Sequence, residues 1–210
     1  MIHVVTAENR HVYHHALMEM HRQRRTLFIE QMHWRLDAPD GLEIDKFDAP
    51  DVTYLIESET PRSDVSASVR LLPTDRPHLL GEVFPHLCPN GVPSSASIWE
   101  VTRFCPSPDT PKGEARRRAL AVMIAGILET GLLFGIERVT FVAGLALARQ
   151  ALSVGWTASP LGPTVRQGRD RITAIAAEID VEGLRRVRVK NGLGVLPLTR
   201  FSPGETRRAA

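Results

Sequence analysis

The fold is decided by residues 97–143, which read SIWEVTRFCPSPDTPKGEARRRALAVMIAGILETGLLFGIERVTFVA. Residues 97–104 alternate between two sets of side chains, as the two faces of a strand do. A long apolar run between Lys112 and Gly135 predicts a helix, and residues 138–143, rich in β-branched side chains, predict a second strand. Strand, helix and strand in close succession indicate a protein of the α/β or α+β class.

The rest of the chain extends this pattern over a length suited to one domain. Its 210 residues are 43% hydrophobic and 24% charged, which is typical of a globular chain with one sizeable core. Further strands are predicted at residues 2–6, 52–58, 65–73 and 172–180, and further helices at residues 8–32 and 145–155. Because no repeat or linker interrupts the pattern, we predict a single domain over residues 1–210.

Cysteine content and hydropathy predict a cytoplasmic protein. Cys88 and Cys105 form no CxxC pair, which disfavours a zinc site or a redox dithiol and fits a reducing compartment. Residues 1–10 are too polar for a secretory signal. The most apolar stretch, residues 119–136, is interrupted by Glu129 and therefore predicts a buried helix rather than a membrane span.

Charge is unevenly distributed, although the formal net charge is only +2. Residues 1–60 carry 11 acidic and 6 basic side chains, whereas residues 166–210 carry 10 basic and 5 acidic ones. Solvated faces are the simpler explanation, but an acidic region could also hold a small cation and a basic one an acidic partner. Residues 33–51 form a long acidic loop that includes Ile44 and Phe47, which favours an ordered, functional loop.

Three charged side chains lie inside apolar strand patterns, namely Arg70, Glu100 and Arg103. Charges inside strands are rarely left unpaired when they are buried, so these residues are candidates for a site. Glu100 and Arg103 point to opposite faces of a regular strand. A β-bulge between them would bring both to one face, and bulges are common beside active sites.

Taken in order, these residues match the motif set of a known family. The sequence resembles the acyl-homoserine-lactone synthases, which make quorum-sensing autoinducers in Gram-negative bacteria. The matching segments are RRTLF (24–28), Trp34, DKFD (45–48), VRLL (69–72), LLGEVFPHL (79–87) and WEVTRF (99–104). The resemblance covers about residues 1–160 and continues more weakly to the end of the chain.

The resemblance implies both a fold and a reaction. The implied fold is that of the N-acyltransferases, a three-layer αβα sandwich with a mixed, twisted sheet and a cleft where two strands splay. The implied substrates are S-adenosylmethionine and an acyl thioester, and no cofactor is implied. The amine of the methionine moiety attacks the thioester, and its carboxylate then displaces methylthioadenosine to close a lactone.

The matched residues suit this chemistry, and the resemblance implies their roles. Glu100 is the candidate general base for the substrate ammonium, and Arg70 holds the geometry of acids such as Asp45 or Glu100. Asp45 and Asp48 would attract the cationic part of S-adenosylmethionine, and Arg24 or Arg103 would bind its carboxylate. Aromatic faces for the adenine or the sulfonium would come from Phe28 and Trp34.

The sequence says less about the residues that bind the acyl chain and about the molecule that donates it. The expected acyl-binding residues are Phe84, Thr102, Met123, Thr140, Phe141, Val142 and Ala143, with Gly144 and Leu128 nearby; packing in the core explains many of them equally well. PKGEARRRAL (111–120) lacks the glycine pattern of a CoA cradle, so acyl carrier protein is the default donor, with acyl-CoA possible. The expected carrier-docking residues are Lys112, Arg116, Arg117, Arg118 and Arg149.

Three alternatives are weaker. His11 and His15 lie one helical turn apart but have no evident third ligand, so no metal site is predicted. RRVRVK (185–190) is short and lacks interleaved aromatics, which disfavours nucleic-acid binding. The chain could still be an N-acyltransferase for another amine, or a regulator that binds nucleic acid or an acyl ligand. The oligomeric state is left open between a monomer and a weak dimer.

Overall fold

A single mixed β-sheet organises the chain. The computed structural model describes residues 1–201, which contain nine strands in one sheet of order β6-β8-β5-β4-β3-β2-β1-β9, with β7 paired to β8. The strands are β1 (Ile2–Val5), β2 (Thr53–Glu57), β3 (Ala67–Pro73), β4 (Ile98–Pro106), β5 (Arg138–Gly144), β6 (Ala158–Pro160), β7 (Val165–Gln167), β8 (Asp170–Glu178) and β9 (Thr199–Phe201). Within residues 1–201, only β4–β5 and β1–β9 pair in parallel.

Helices cover both faces of this sheet. They are α1 (His14–Arg24), α2 (Leu79–Glu82), α3 (Glu114–Phe134), α4 (Leu145–Ser153) and α5 (Val181–Lys190). The main core lies between the sheet and α3, α4 and α5, and smaller clusters lie on the opposite face beneath α1 and α2. The predicted αβα sandwich with a mixed sheet is therefore confirmed.

Two glycines let α3 lie close to the sheet. A Cβ at Gly126 would come within 2.4 Å of Ile2 Cδ1, and one at Gly131 within 2.8 Å of Ile179 Cγ2. The helix ends where predicted, because Gly135 adopts a left-handed conformation with φ of 70°. Within residues 1–201, no helix is long and apolar enough to cross a membrane.

The sheet opens between β4 and β5. These strands pair only from Ile98 with Arg138 to Glu100 with Thr140. Beyond that point β4 continues beside β3, and β5 continues beside β8. The splayed cleft implied by the family resemblance is present, and Glu100 lies at its closed end.

A bulge of the kind that would bring Glu100 and Arg103 to one face is present in β4. The register with β3 shifts between Ser68 paired with Cys105 and Arg70 paired with Thr102, so that two residues of β4 oppose one of β3. Arg103 lies in the bulge with φ of 54°. A non-glycine residue in this region costs about 1–2 kcal/mol, so the surrounding contacts must offset the strain.

Some local predictions were wrong. Residues 8–32 are not one regular helix, because a 3₁₀ turn precedes α1 and a π-helical segment, Arg25–Gln31, follows it. Periodicity also missed the short strands β6, β7 and β9, and the segment RRVRVK lies within α5. Short strands are specified by their neighbours more than by their own sequences. The final part of the predicted domain, residues 202–210, lies outside the described residues.

Candidate active site

Three arginines and three carboxylates form a compact network beside the open end of the cleft. Arg24 comes from the last turn of α1, Arg70 from β3 and Arg103 from the bulge of β4. The carboxylates all come from the loop between α1 and β2, and they belong to Glu43, Asp45 and Asp48. The acidic loop is thus ordered by arginines that lie up to 60 residues away in the chain.

Arg24 holds two of the carboxylates at once. Its Nε donates to Glu43 Oε2 at 2.5 Å, and its Nη1 and Nη2 donate to the two oxygens of Asp48, both at 2.8 Å. All three side chains are 2% exposed or less. Such a bidentate pair fixes both the distance and the orientation of the Asp48 carboxylate.

Arg70 and Arg103 complete the network around Asp45. Arg70 Nη1 donates to Asp45 Oδ1 at 2.6 Å and lies 2.9 Å from Asp48 Oδ1. Arg103 Nη2 donates to Asp45 Oδ2 at 2.7 Å and to Glu43 Oε1 at 2.9 Å. Of the two partners predicted for Arg70, the structure therefore brings it to Asp45 and not to Glu100.

Hydrogen bonds keep Asp48 ionised despite its burial. Tyr54 Oη donates to Asp48 Oδ1 at 2.7 Å, in addition to the two bonds from Arg24. Burial by itself opposes ionisation, but the hydrogen bonds and charge of Arg24, with the charge of Arg70, outweigh it and hold the pKa of Asp48 well below its usual range. Burial, and then the neighbouring Asp48 charge, raise the pKa of Tyr54, which keeps its hydroxyl protonated as a donor.

Exposure divides the network into an inner part and a part that a ligand can reach. The side chains of Glu43 and Asp48 are 1% and 2% exposed, whereas that of Asp45 is 21% exposed. Arg103 is the most exposed of the three arginines, at 7%. Since three positive charges balance three negative ones, the network offers no large excess of negative potential, and a cation would be drawn mainly by Asp45.

Two aromatic rings flank this accessible part. Phe28 and Trp34 stack with their ring centroids 4.9 Å apart and their planes 16° apart, and the Arg103 guanidinium lies 5.6 Å from the Phe28 ring. The π-helical segment and His33, which has a left-handed backbone conformation, reverse the direction of the chain. As a result the backbone N–H of Trp34 donates to the backbone carbonyl of Phe28 at 2.9 Å. Phe28 is buried but Trp34 is 39% exposed, so its ring borders the solvent side of the site.

Glu100 lies apart from the arginine network. It is fully buried, and its two carboxylate oxygens accept the N–H groups of Leu79 at 2.8 Å and Leu80 at 2.7 Å, at the start of α2. Burial raises the pKa of Glu100 above its ordinary value, while the two backbone hydrogen bonds, His78 and Arg70 act in the opposite direction. A carboxylate with a raised pKa is suited to accept a proton near neutral pH.

The expected acyl-binding residues do not lie together. Phe141, Ala143 and Met123 belong to the core between the sheet and α3, whereas Val142 and Phe84 lie in an apolar cluster on the opposite face. The alternation of β5 explains this division, because neighbouring residues of a strand face opposite sides.

The two threonines of the expected acyl set behave differently. Thr140, opposite Glu100, has a buried hydroxyl with no hydrogen-bond partner among the described residues. Thr102 accepts a hydrogen bond from Arg70 Nε at 3.0 Å and so belongs to the arginine network. Thr140 is thus the member of this pair whose hydroxyl oxygen has no protein partner.

The basic residues expected to dock a carrier lie near the start of α3 and in the middle of α4. Lys112, Arg117 and Arg149 are exposed, while Arg116 is half-buried and donates to Thr110 O at 3.1 Å. Arg118 instead lines a separate cavity of about 210 Å³. Four of the five basic residues thus lie on α3 or just before it, and the fifth, Arg149, lies on α4.

Sequence reasoning missed two members of the network. Glu43 is 1% exposed and bonds both Arg24 and Arg103, and Tyr54 bonds Asp48. Glu43 resembles any other acid of the loop by sequence, and Tyr54 lies in an apolar strand pattern where an aromatic ring is ordinary. Among residues 1–201, no three His, Cys, Asp or Glu side chains are grouped so as to hold a metal ion.

Comparison with known proteins assigns this site to a family. The family model described as autoinducer synthase matches residues 8–189, which include every member of the network and Glu100. The chain belongs to the autoinducer synthase family. It is an acyltransferase, an acyl-homoserine-lactone synthase, as the sequence resemblance predicted.

Curated autoinducer synthases resemble the chain over most of its length. The isovaleryl-homoserine lactone synthase of Bradyrhizobium diazoefficiens is 35% identical over 164 residues, which are 77% of this chain and 72% of that protein. The acyl-homoserine-lactone synthase of Acinetobacter nosocomialis is 32% identical over 168 residues, which are 75% and 88% of the two chains.

Solved structures extend the likeness to the whole fold. A CoA-dependent acyl-homoserine lactone synthase, BjaI, with SAM and isopentyl-CoA has a TM-score of 0.87 at 30% identity over 97% of this chain and 93% of that chain. An N-acetyltransferase from Lactobacillus plantarum, at 12% identity and a TM-score of 0.53 over 85% of this chain and 99% of that chain, shares the fold alone. Together these structures confirm the predicted N-acyltransferase-like architecture.

Proposed function

We propose that this synthase joins S-adenosylmethionine to an acyl thioester by using the arginine–carboxylate network for the first substrate and the β4–β5 cleft for the second. The amine nitrogen forms an amide bond with the acyl carbon, and the thiolate leaves. The carboxylate oxygen of the same molecule then attacks the carbon beside the sulfonium, and methylthioadenosine leaves. The observation that carries this proposal is the position of Glu100, which is buried at the closed end of the cleft, while the network lies beside its open end.

Asp45 and Arg103 are the candidates for direct contact with S-adenosylmethionine. They have the two most exposed side chains of the network, and they carry opposite charges at 2.7 Å. Asp45 suits the ammonium, and the Arg103 guanidinium suits the carboxylate. Arg24, Arg70 and Asp48 are too enclosed for such contacts, and their role is to hold these two groups in place.

The aromatic pair provides the remaining binding surface. The exposed Trp34 ring, backed by Phe28, offers a flat face for the adenine or for the sulfonium. Because this pair lies next to Arg103, S-adenosylmethionine would lie across the exposed Trp34 ring and the accessible edge of the network.

Glu100 is the proposed general base. The ammonium becomes a nucleophile only after it loses a proton, and a buried carboxylate with a raised pKa accepts that proton directly or through a water. Each carboxylate oxygen keeps a second lone pair when it accepts one backbone N–H. The hydrogen bonds from Leu79 and Leu80 therefore orient Glu100 without blocking it.

The acyl group is proposed to enter the splayed cleft on the Glu100 face. There the unpaired Thr140 hydroxyl is available to the thioester region, and the cluster of Phe84, Val142 and Leu80 provides apolar contacts for the chain. Phe141, Ala143 and Met123 lie behind β5 and shape the cleft by packing. Lactonisation then needs mainly a folded substrate conformation, because both reacting groups belong to one molecule.

Acyl-CoA is the proposed donor. Two solved structures at 30% identity, with TM-scores of 0.87 and 0.84, are described as CoA-dependent synthases. Lys112, Arg116 and Arg117 near the start of α3 would supply positive charge for the phosphates of CoA. Two buried free cysteines and these substrates fit a cytoplasmic enzyme.

The test is an incubation of the purified protein with S-adenosylmethionine and a panel of CoA and acyl carrier protein thioesters, followed by mass spectrometry. We expect equal amounts of acyl-homoserine lactone and methylthioadenosine with at least one acyl-CoA. Product from carrier thioesters alone would overturn the proposed donor. Acylation without methylthioadenosine would identify an N-acyltransferase for another amine, and folded protein without any product would refute the reaction.

A further inference from the structure

The short helix α2 receives its N-terminal cap from another part of the chain. Its N-cap residue, His78, has an extended backbone and makes no side-chain cap hydrogen bond. The N–H groups of Leu79 and Leu80 instead donate to Glu100 on β4. Helices are usually capped by a Ser, Thr, Asp or Asn at the N-cap, whose side chain accepts one of these N–H groups.

The His78 side chain is held away from the cap position. Its Nδ1 lies 2.8 Å from Arg76 O, and since a carbonyl only accepts, Nδ1 carries the proton. The ring is buried, and its Nε2 has no hydrogen-bond partner among the described residues. It packs against Gly81 so closely that a Cβ there would come within 2.8 Å of His78 Cε1.

We propose that His78 and Gly81 are positioning residues that leave the Leu79 and Leu80 amides free to orient Glu100. A histidine at the N-cap does not compete for these amides while its Nδ1 is bonded to Arg76 O. Gly81 makes this possible, because any side chain at that position would displace the imidazole. The inference deepens the proposed function, since it rests on Glu100 as the general base.

The groups around Glu100 set the direction of the expected effect. His78 precedes α2, Arg70 faces Glu100 from β3, and β5 contributes the uncharged Thr140. Backbone hydrogen bonds favour the charged carboxylate, so their loss raises the pKa at which Glu100 becomes a base. The acidic limb of the pH profile of kcat/KM would then move to higher pH.

The first variant is His78→Asn, which supplies a strong N-cap that competes with Glu100 for the Leu80 N–H. A hydrogen bond to the ionised carboxylate lowers its pKa, so losing one should move the acidic limb upward by about 1 pH unit or more. The second variant is Gly81→Ala, which displaces the imidazole and should move the limb in the same direction. In a protein that already carries His78→Ala, Gly81→Ala should not shift the acidic limb any further, because the imidazole with which the new Cβ would clash is absent.

The matched control is Gly194→Ala, where a Cβ meets nothing within 4 Å, and it should leave the limb unchanged. The proposal is overturned if His78→Asn and Gly81→Ala lower kcat/KM equally at all pH values without moving the limb. The carboxyl pKa of Glu100, measured by ¹³C NMR in the same variants, separates the two proposals. If it shifts as expected in a protein that makes no lactone, the positioning role stands and the proposed reaction fails.

Discussion

Asp48 provides the sharpest test of the buried network. Its carboxylate is 2% exposed, accepts two hydrogen bonds from Arg24 and one from Tyr54, and lies 2.9 Å from Arg70 Nη1. In Asp48→Asn the shape is kept, but a neutral amide replaces the charge and turns an N–H₂ group toward one of these donors. The substitution therefore leaves the three buried arginines with only two carboxylates, those of Glu43 and Asp45, to balance their charge.

The burial of these side chains sets how much stability Asp48→Asn should lose. Breaking one partner of a buried ion pair costs about 3–5 kcal/mol, and we expect Asp48→Asn to reduce the free energy of unfolding at pH 7 by that amount. Tyr54→Phe removes only the 2.7 Å hydrogen bond to Asp48 and should cost about 1.5–3 kcal/mol. The two variants therefore change the same contact with two different expected losses in the free energy of unfolding.

The pH dependence distinguishes a charged Asp48 from a merely well-packed one. A carboxyl with a lowered pKa in the folded state contributes stability above its unfolded pKa of about 3.9, and this contribution is lost as the pH falls. At pH 3 the wild type should have lost roughly 1.3 kcal/mol of this contribution to the free energy of unfolding. Asp48→Asn has no carboxyl at this position, so its free energy of unfolding should not change for this reason. The difference between the two proteins should narrow by that amount between pH 7 and pH 3.

Urea unfolding followed by circular dichroism at both pH values measures these differences. The control is Asp51→Asn, whose side chain is 59% exposed and pairs with Arg76 on the surface. It should change the free energy of unfolding by less than about 1 kcal/mol at either pH. A loss below 1 kcal/mol for Asp48→Asn at pH 7, or an equal difference at both pH values, would refute the reasoning.

The remaining predictions concern catalysis and binding. Glu100→Gln should lower kcat/KM by about 10²-fold or more with S-adenosylmethionine affinity unchanged in calorimetry, and near-normal turnover would exclude it as the base. Asp45→Asn should weaken S-adenosylmethionine binding by about tenfold or more, and unchanged affinity would exclude a contact with the ammonium. Thr140→Val keeps the side-chain volume and removes a hydroxyl that has no partner in the protein. It should therefore raise the KM of the acyl donor without lowering the melting temperature. A lower melting temperature with an unchanged KM would indicate a structural role instead.

Local patterns were sufficient for the order of the main elements. The alternation of residues 97–104, the apolar run that ends at Gly135 and the β-branched strand after it all survive in the structure as β4, α3 and β5. The bulge at Arg103 was also predictable, because Glu100 and Arg103 could share a face only through an extra residue in β4. In each case the sequence pattern that predicts the element lies within a few residues of the element itself.

Tertiary structure alone decided which charges pair and which remain accessible. Glu43, Asp45 and Asp48 are nearly equivalent in sequence, and the fold brings two arginines to each of them. Even so, only the Asp45 side chain stays partly exposed, at 21%.

The same holds for Glu100, whose sequence shows an acid in a strand but not the two α2 amides that orient it. Sequence periodicity records the face on which a side chain lies, whereas its partner depends on chain segments about 20 to 60 residues away. Only the packed fold brings these segments together.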